Sequence, residues 1–123
     1  MRLLPTISLL LALCATPALA DGGRMVIRSS PLAGSQYYDL DLSREQIKLG
    51  DELTLIRESD NRHDRNAIRV EWRGRKLGYL PRAHNQAVAR AIDEGESVVA
   101  RISQIRDDAN PWRRLEFEVL LKL

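Results

Sequence analysis

Near the end of the chain, Leu115, Phe117, Val119, Leu121 and Leu123 alternate with Glu116, Glu118 and Lys122. A period of two predicts a long strand that buries one face. The same period appears earlier, where Ile68, Val70 and Trp72 alternate with Arg69 and Glu71 in a strand expected over Ala67 to Trp72. Leu53 and Leu55 share a face in Glu52 to Arg57, which follows the turn residues Gly50 and Asp51. Lys76 to Leu80 reads as the partner of Ala67 to Trp72 across Arg73-Gly74-Arg75, a connection of hairpin length. Met25 to Arg28 reads as an opening strand, broken by loop chemistry from Ser29-Ser30-Pro31 to Gly34-Ser35, and a polar connection follows the pair Tyr37-Tyr38. Ser97 to Arg106 reads as a further strand, ended by the turn-rich Asp107 to Pro111.

Between these strands the period changes. Ala87, Val88, Ala91 and Ile92 recur at helical spacing within Arg82 to Glu94, Pro81 suits a helix start, and Gly95 stands where a helix stops. About six strands and one clear helix in roughly 100 residues predict a mostly β domain, a small barrel or rolled sheet, because closure removes the exposed edges of short strands. The pattern alone leaves barrel and sandwich both open.

The N-terminus is of another kind. Arg2, an apolar run from Leu3 to Ala15, and Ala18-Leu19-Ala20 before the polar Asp21-Gly22-Gly23 form the pattern of a secretory signal peptide over residues 1–20. A membrane span needs roughly 20 apolar residues, and this run is shorter and interrupted by Pro5, so no stable membrane span is expected after cleavage. The expected mature chain is one domain, residues 21–123, exported to a periplasm or to the medium. Cys14 is the one cysteine and falls in the segment to be removed. The mature chain is then without disulfides, thiolate-bound zinc or a cysteine nucleophile. Leu13 stands where a lipoprotein signal carries a small residue.

Charge changes the picture in one place. The 19 basic residues become 18 without Arg2, against 17 acidic ones, so the mature chain is near neutral. From Arg57 to Arg90, however, basic residues outnumber acidic ones about two to one, and most are arginines, whose planar fork suits phosphate. An alternating Arg and Glu strand is equally the mark of a solvated face.

Catalytic signatures are few. The sequence has no glycine-rich phosphate loop ending in lysine and no glycine-flanked serine. His63 and His84 are the only histidines; together with Asp64 they would make a metal site only if the loop and the helix start met, and two surface imidazoles are the plainer reading. Asp107 and Asp108 read as turn residues ahead of Ala109-Asn110-Pro111. No cofactor, metal or enzymatic activity is expected.

The polar run Arg57-Glu58-Ser59-Asp60-Asn61-Arg62-His63-Asp64-Arg65-Asn66, leading directly into the strand at Ala67, reads as a recognition loop on a rigid scaffold. Aromatic faces that stack bases and cations that track phosphate are what a single strand needs, and Tyr37, Tyr38, Trp72 and Tyr79 with Arg62, Arg65 and Arg82 are the candidates. Trp72 and one of the adjacent tyrosines are expected to point inward.

Together with Gly34-Ser35-Gln36-Tyr37-Tyr38 upstream and Gly78-Tyr79-Leu80-Pro81 downstream, this loop resembles the HIRAN domain, over about Met25 to Lys122. The resemblance implies a modified OB-like β-barrel with one or two short helices, and a non-enzymatic module that binds single-stranded DNA at a free 3′ end. By position it implies stacking on Tyr37, a hydroxyl-accepting carboxylate at Asp64, a polar contact from Asn61, a phosphate contact from Arg82 and a further contact from Tyr79. His63 stands where an aromatic residue precedes the aspartate, and Gln36 where a DNA-binding member carries a basic residue. Two other readings accompany this one: an exported envelope module recognising a protein or glycan, and a small metal-assisted hydrolase.

Overall fold

The computed structural model describes residues 23–123. The leader expected over residues 1–20, and Cys14 with it, lies outside the described residues. The strands are β1 (Arg24–Pro31), β2 (Glu52–Arg57), β3 (Ile68–Trp72), β4 (Arg75–Tyr79), β5 (Val98–Ile105) and β6 (Leu115–Lys122). The helices are α1 (Leu40–Ser43) and α2 (Arg82–Asp93), and 3-10 turns lie at Ser35–Tyr37 and Pro111–Arg113.

All six strands join one antiparallel sheet in the order β1-β6-β5-β2-β3-β4. The sheet curls without closing. Just past β1, Ala33 and Tyr79 exchange both backbone hydrogen bonds at 2.9 Å, a single bridge that draws the two edge strands together. Such an open OB-like roll leaves only short edges exposed.

Local sequence explains several elements directly. The β3–β4 hairpin turns on two residues, Arg73 and Gly74, both at positive φ (47° and 80°), the mirror-image turn whose twist matches that of paired strands. Arg75, expected in the connection, already pairs with Trp72. Helix α2 begins after Pro81, and Gly95, with a φ of 85°, follows its C-cap Glu94. There the N–H groups of Gly95 and Glu96 reach back to the carbonyls of Ile92 and Ala91, both at 3.0 Å, and so satisfy the last turn.

The core is filled from the alternating faces. Leu115, Phe117 and Val119 of β6, Ile68, Val70 and Trp72 of β3, Leu53, Leu77 and Ile102 are buried together, with Val88 of α2 against them. Trp72 Nε1 donates to Asp51 Oδ2 at 3.1 Å, so the indole enters the core with its polar atom satisfied.

Three expectations are corrected. Strand β1 runs on through Ser29, Ser30 and Pro31, which pair with Glu118, Phe117 and Glu116. An edge strand tolerates Pro31, and Ser30 is buried with its hydroxyl 3.0 Å from His84 Nδ1. The alternation of β6 breaks after Val119: Leu120 is buried as well, Leu121 is half-buried and Leu123 is exposed. Leu120 pairs with Val26 of β1 on one side and Val99 of β5 on the other, so its lateral neighbours are apolar, where those of Glu118 are Ser29 and Arg101. Finally, the polar connection after the tyrosine pair folds into α1, which buries Leu40.

No helix among the described residues is long and apolar enough to cross a membrane.

Candidate functional site

The loop from Glu58 to Ala67 is built on its own side chains. Asn61 Oδ1 accepts from the N–H groups of His63 (2.8 Å) and Asp64 (3.2 Å), and Asp64 Oδ1 accepts from that of Asn66 (2.9 Å). These bonds replace a regular turn with one dictated by Asn and Asp. The base of the loop is closed by Glu58 N–H to the Ala67 carbonyl at 2.9 Å. Arg57 braces it from beneath, donating to the carbonyls of Arg65 (3.0 Å) and Ala67 (3.1 Å) while its other two donors hold both oxygens of Asp93 at the end of α2. The hydrogen bond from Arg57 holds the Asp93 carboxyl below the ordinary carboxylate range. Arg57 is thus occupied in structure.

Against this loop lies an open cleft of about 370 Å³. Tyr38, Asn61, His63, Asp64, Tyr79 and Arg82 line it, with Ala33 and Leu80 nearby. Its elements meet because β4 delivers Tyr79 and Leu80 directly to the start of α2, while the Ala33–Tyr79 bridge holds the segment before Tyr38 beside them.

The acidic side of the cleft is Asp64. Its Oδ2 accepts from Asn85 Nδ2 at 2.7 Å, and Asn85, on the first turns of α2, is itself buried. Loop and helix therefore fix the carboxylate from two directions, and each oxygen keeps a lone pair for a ligand. A carboxylate so held can accept a hydroxyl, and it repels a phosphate placed at the same point.

The aromatic side is Tyr38 and Tyr79, edge to face with centroids 6.0 Å apart. The Lys76 ammonium lies 4.2 Å from the Tyr38 ring centre and 4.6 Å from that of Tyr79, and donates to the Tyr79 hydroxyl at 2.9 Å. Burial works to lower the Lys76 pKa, but contact with Tyr79 and Tyr38 outweighs it and holds the amine above its ordinary value. Burial likewise pushes the Tyr79 phenol up. Both groups keep their protons at neutral pH, and the ammonium clamps the two rings.

Tyr37, to which the resemblance gave the stacking role, is not in the lining of this cleft. It is 76% exposed on the 3-10 turn, and Tyr38 lines the cleft instead. The segment is a turn here, so alternation does not govern which tyrosine is buried. Gln36 is exposed beside Tyr37, Arg62 and Arg65 are exposed on the loop outside the lining, and Trp72 belongs to the core. His84 lines a separate opening and does not join His63 and Asp64. Among the described residues no three His, Cys, Asp or Glu side chains gather to hold a metal ion.

Glu58, Lys76 and Asn85 were not among the sequence candidates for the site. For Asn85 a signal existed: it shares the buried stripe of α2 with Val88 and Ala89, and an amide on a buried stripe demands a polar partner. Nothing local marks Lys76, which meets Tyr38 only through the fold.

The HIRAN domain family model matches residues 28–123. A protein from Lactobacillus plantarum of known crystal structure is similar at 26% identity and a TM-score of 0.70, covering 80% of this chain and 95% of that one. The crystal structure of the HIRAN domain of human HLTF is similar at 19% identity and a TM-score of 0.60, covering 80% of this chain and 74% of that one. This second likeness is one of fold. No curated protein matches the chain in sequence.

Proposed function

Because this chain belongs to the HIRAN domain family, we propose that its cleft is a non-enzymatic binding site for single-stranded nucleic acid, taken by a free 3′ end. The observation that carries this reading is the Asp64 carboxylate, fixed by Asn85 and by the Asn66 N–H in a cleft that also presents the Tyr38 ring and the Arg82 guanidinium. A strand interior would bring a phosphodiester to every sugar, and a carboxylate would repel it. A terminal nucleotide brings a hydroxyl in its place, and the carboxylate accepts it. Tyr38, backed by Lys76, supplies a fixed face for the terminal base. Arg82, exposed at the start of α2, reaches the phosphate on the 5′ side of the terminal nucleotide. Tyr37, exposed on the 3-10 turn before Tyr38, stacks the next base in this reading.

In this reading His63 presents a smaller ring than the aromatic residue it replaces, and Gln36 neutralises no phosphate. Binding is then weaker and less salt-dependent than in a member with a basic residue at that position. The mature protein is exported, so its nucleic acid is extracellular or incoming.

Fluorescence anisotropy with labelled single strands, one ending in a 3′-hydroxyl and one in a 3′-phosphate, tests the proposal. The wild-type protein should prefer the hydroxyl end, and Asp64→Asn should lose the preference while retaining general binding. A wild type that binds neither strand at low salt would overturn the reading and leave the cleft to a protein or glycan partner.

A further inference from the structure

A second opening, of about 270 Å³, shares no lining residue with the first. Its walls include Ile27 and Arg28 from β1 and Ala83, His84, Gln86 and Ala87 from α2. His84 is half-buried there, and its Nδ1 lies 3.0 Å from the hydroxyl of the buried Ser30. The Ser30 hydroxyl donates to the Pro31 carbonyl at 2.9 Å, so it accepts from Nδ1–H of His84, and Nε2 is the free ring nitrogen.

Arg28 is exposed and forms no ion pair with any described residue. The acidic residues of the adjoining strand are already engaged, Glu118 by Arg101 and Glu116 by Arg106. Burial first, and the charge of Arg28 second, hold His84 below its ordinary range. Two basic groups that face each other with no carboxylate between them repel, and an anion placed there relieves the repulsion. The guanidinium fork suits a phosphate oxygen pair, and the imidazole adds an Nε2–H donor once the bound anion has drawn a proton onto it.

The position matters as much as the charge. Arg82 lines the first cleft, while the next two residues, Ala83 and His84, line the second, so consecutive residues of the first turn of α2 serve both openings. We propose that Arg28 and His84 form a phosphate-binding subsite, which takes a backbone phosphate of the strand whose 3′ end lies in the first cleft. The choice of ligand source rests on the nucleic-acid reading above; the phosphate chemistry of the groove does not.

The test compares wild type, Arg28→Gln and His84→Gln, the last keeping a polar partner for Ser30. Each is titrated with a dinucleotide and with a decanucleotide, both ending in a 3′-hydroxyl, at several salt concentrations. In a separate arm, inorganic phosphate is titrated while the His84 ring resonances are followed by NMR. Arg28→Gln should weaken the decanucleotide several-fold with a salt slope shallower by about 0.7, as loss of one single-strand phosphate contact requires, and leave the dinucleotide unchanged. His84→Gln should move in the same direction by less. If the strands show no such difference but inorganic phosphate shifts the His84 resonances in wild type and not in Arg28→Gln, the subsite serves free phosphate. If neither arm depends on Arg28, the subsite does not exist, whether or not the dinucleotide still binds in the first cleft. Loss of wild-type binding to both strands would instead strike the nucleic-acid reading.

Discussion

The Tyr79 hydroxyl donates a hydrogen bond of 2.9 Å to Glu58 Oε1, and through it the aromatic side of the cleft is tied to the loop that carries Asp64. The same carboxylate accepts from Asn61 Nδ2 and from Arg69, each at 3.0 Å. Burial pushes the Glu58 carboxyl up, but the hydrogen bonds from Asn61 and Tyr79, with the charges of Lys76 and Arg69, outweigh burial and hold it below its ordinary value. One half-buried residue thus couples both walls of the site.

This coupling gives a pH signature. A carboxylate whose pKa is lower folded than unfolded stabilises the fold above the unfolded value, and the contribution is lost as pH falls through the folded one. Wild type should therefore lose stability toward acid more steeply than Glu58→Gln between about pH 5 and pH 3. Denaturant melts across that range check it; parallel profiles would show that Glu58 is not held as described.

Asn85 is the residue through which α2 fixes Asp64. Asn85→Ala removes the 2.7 Å bond and leaves the carboxylate held from the loop side alone. Loss of such a buried partner should cost about 1–3 kcal/mol of stability. It should also narrow the preference for a 3′-hydroxyl over a 3′-phosphate, measured by anisotropy, whereas a purely structural Asn85 would leave that ratio untouched.

The adjacent tyrosines are separable. Tyr38→Ala removes the ring between the Lys76 ammonium and the cleft, and should weaken even a dinucleotide by about 1–3 kcal/mol, the range of a base–aromatic contact. Tyr37→Ala should spare the dinucleotide and weaken only longer strands. The opposite order would return the principal stacking role to Tyr37.

Gly78 sits where β4 passes closest to the segment after β1. A Cβ there would run into the Ala33 carbonyl oxygen, which accepts the Tyr79 N–H, and would press on Leu32. Gly78→Ala should therefore force the bridge between the sheet edges apart and cost about 1–3 kcal/mol, as overpacking does. Thermal melts measure the loss, and an unchanged midpoint would show that the edges part without penalty.

Residues 1–20 are expected to leave the mature protein. Mass spectrometry of the chain from its native host should find an N-terminus at Asp21, and an intact Met1 in a soluble cytoplasmic fraction would refute both export and the dismissal of Cys14.

What the sequence determined by itself was local. The hairpin around Arg73-Gly74, though not its two-residue length, the glycine that follows α2, the strand faces of β2, β3 and the first part of β6, and the Asn- and Asp-built loop all rest on residues within a few positions of one another, where backbone preference and periodicity act. The OB-like fold followed from the same blocks read together with the family they resemble. Only tertiary structure decided the rest. Ser29-Ser30-Pro31 carries turn chemistry, yet it continues a strand because β6 offers it a ladder and His84 a partner for the buried Ser30. Alternation fails at Leu120, which lies between Val26 and Val99 of the neighbouring strands and is buried among apolar neighbours the chain brings from far along its length. Tyr38, not Tyr37, lines the cleft because a 3-10 turn replaces the extended segment. Asp64 meets Asn85 across 21 positions, and Lys76 reaches back to Tyr38, because hydrogen bonds and cation–aromatic contacts depend on distance in space, which periodicity along the chain does not encode.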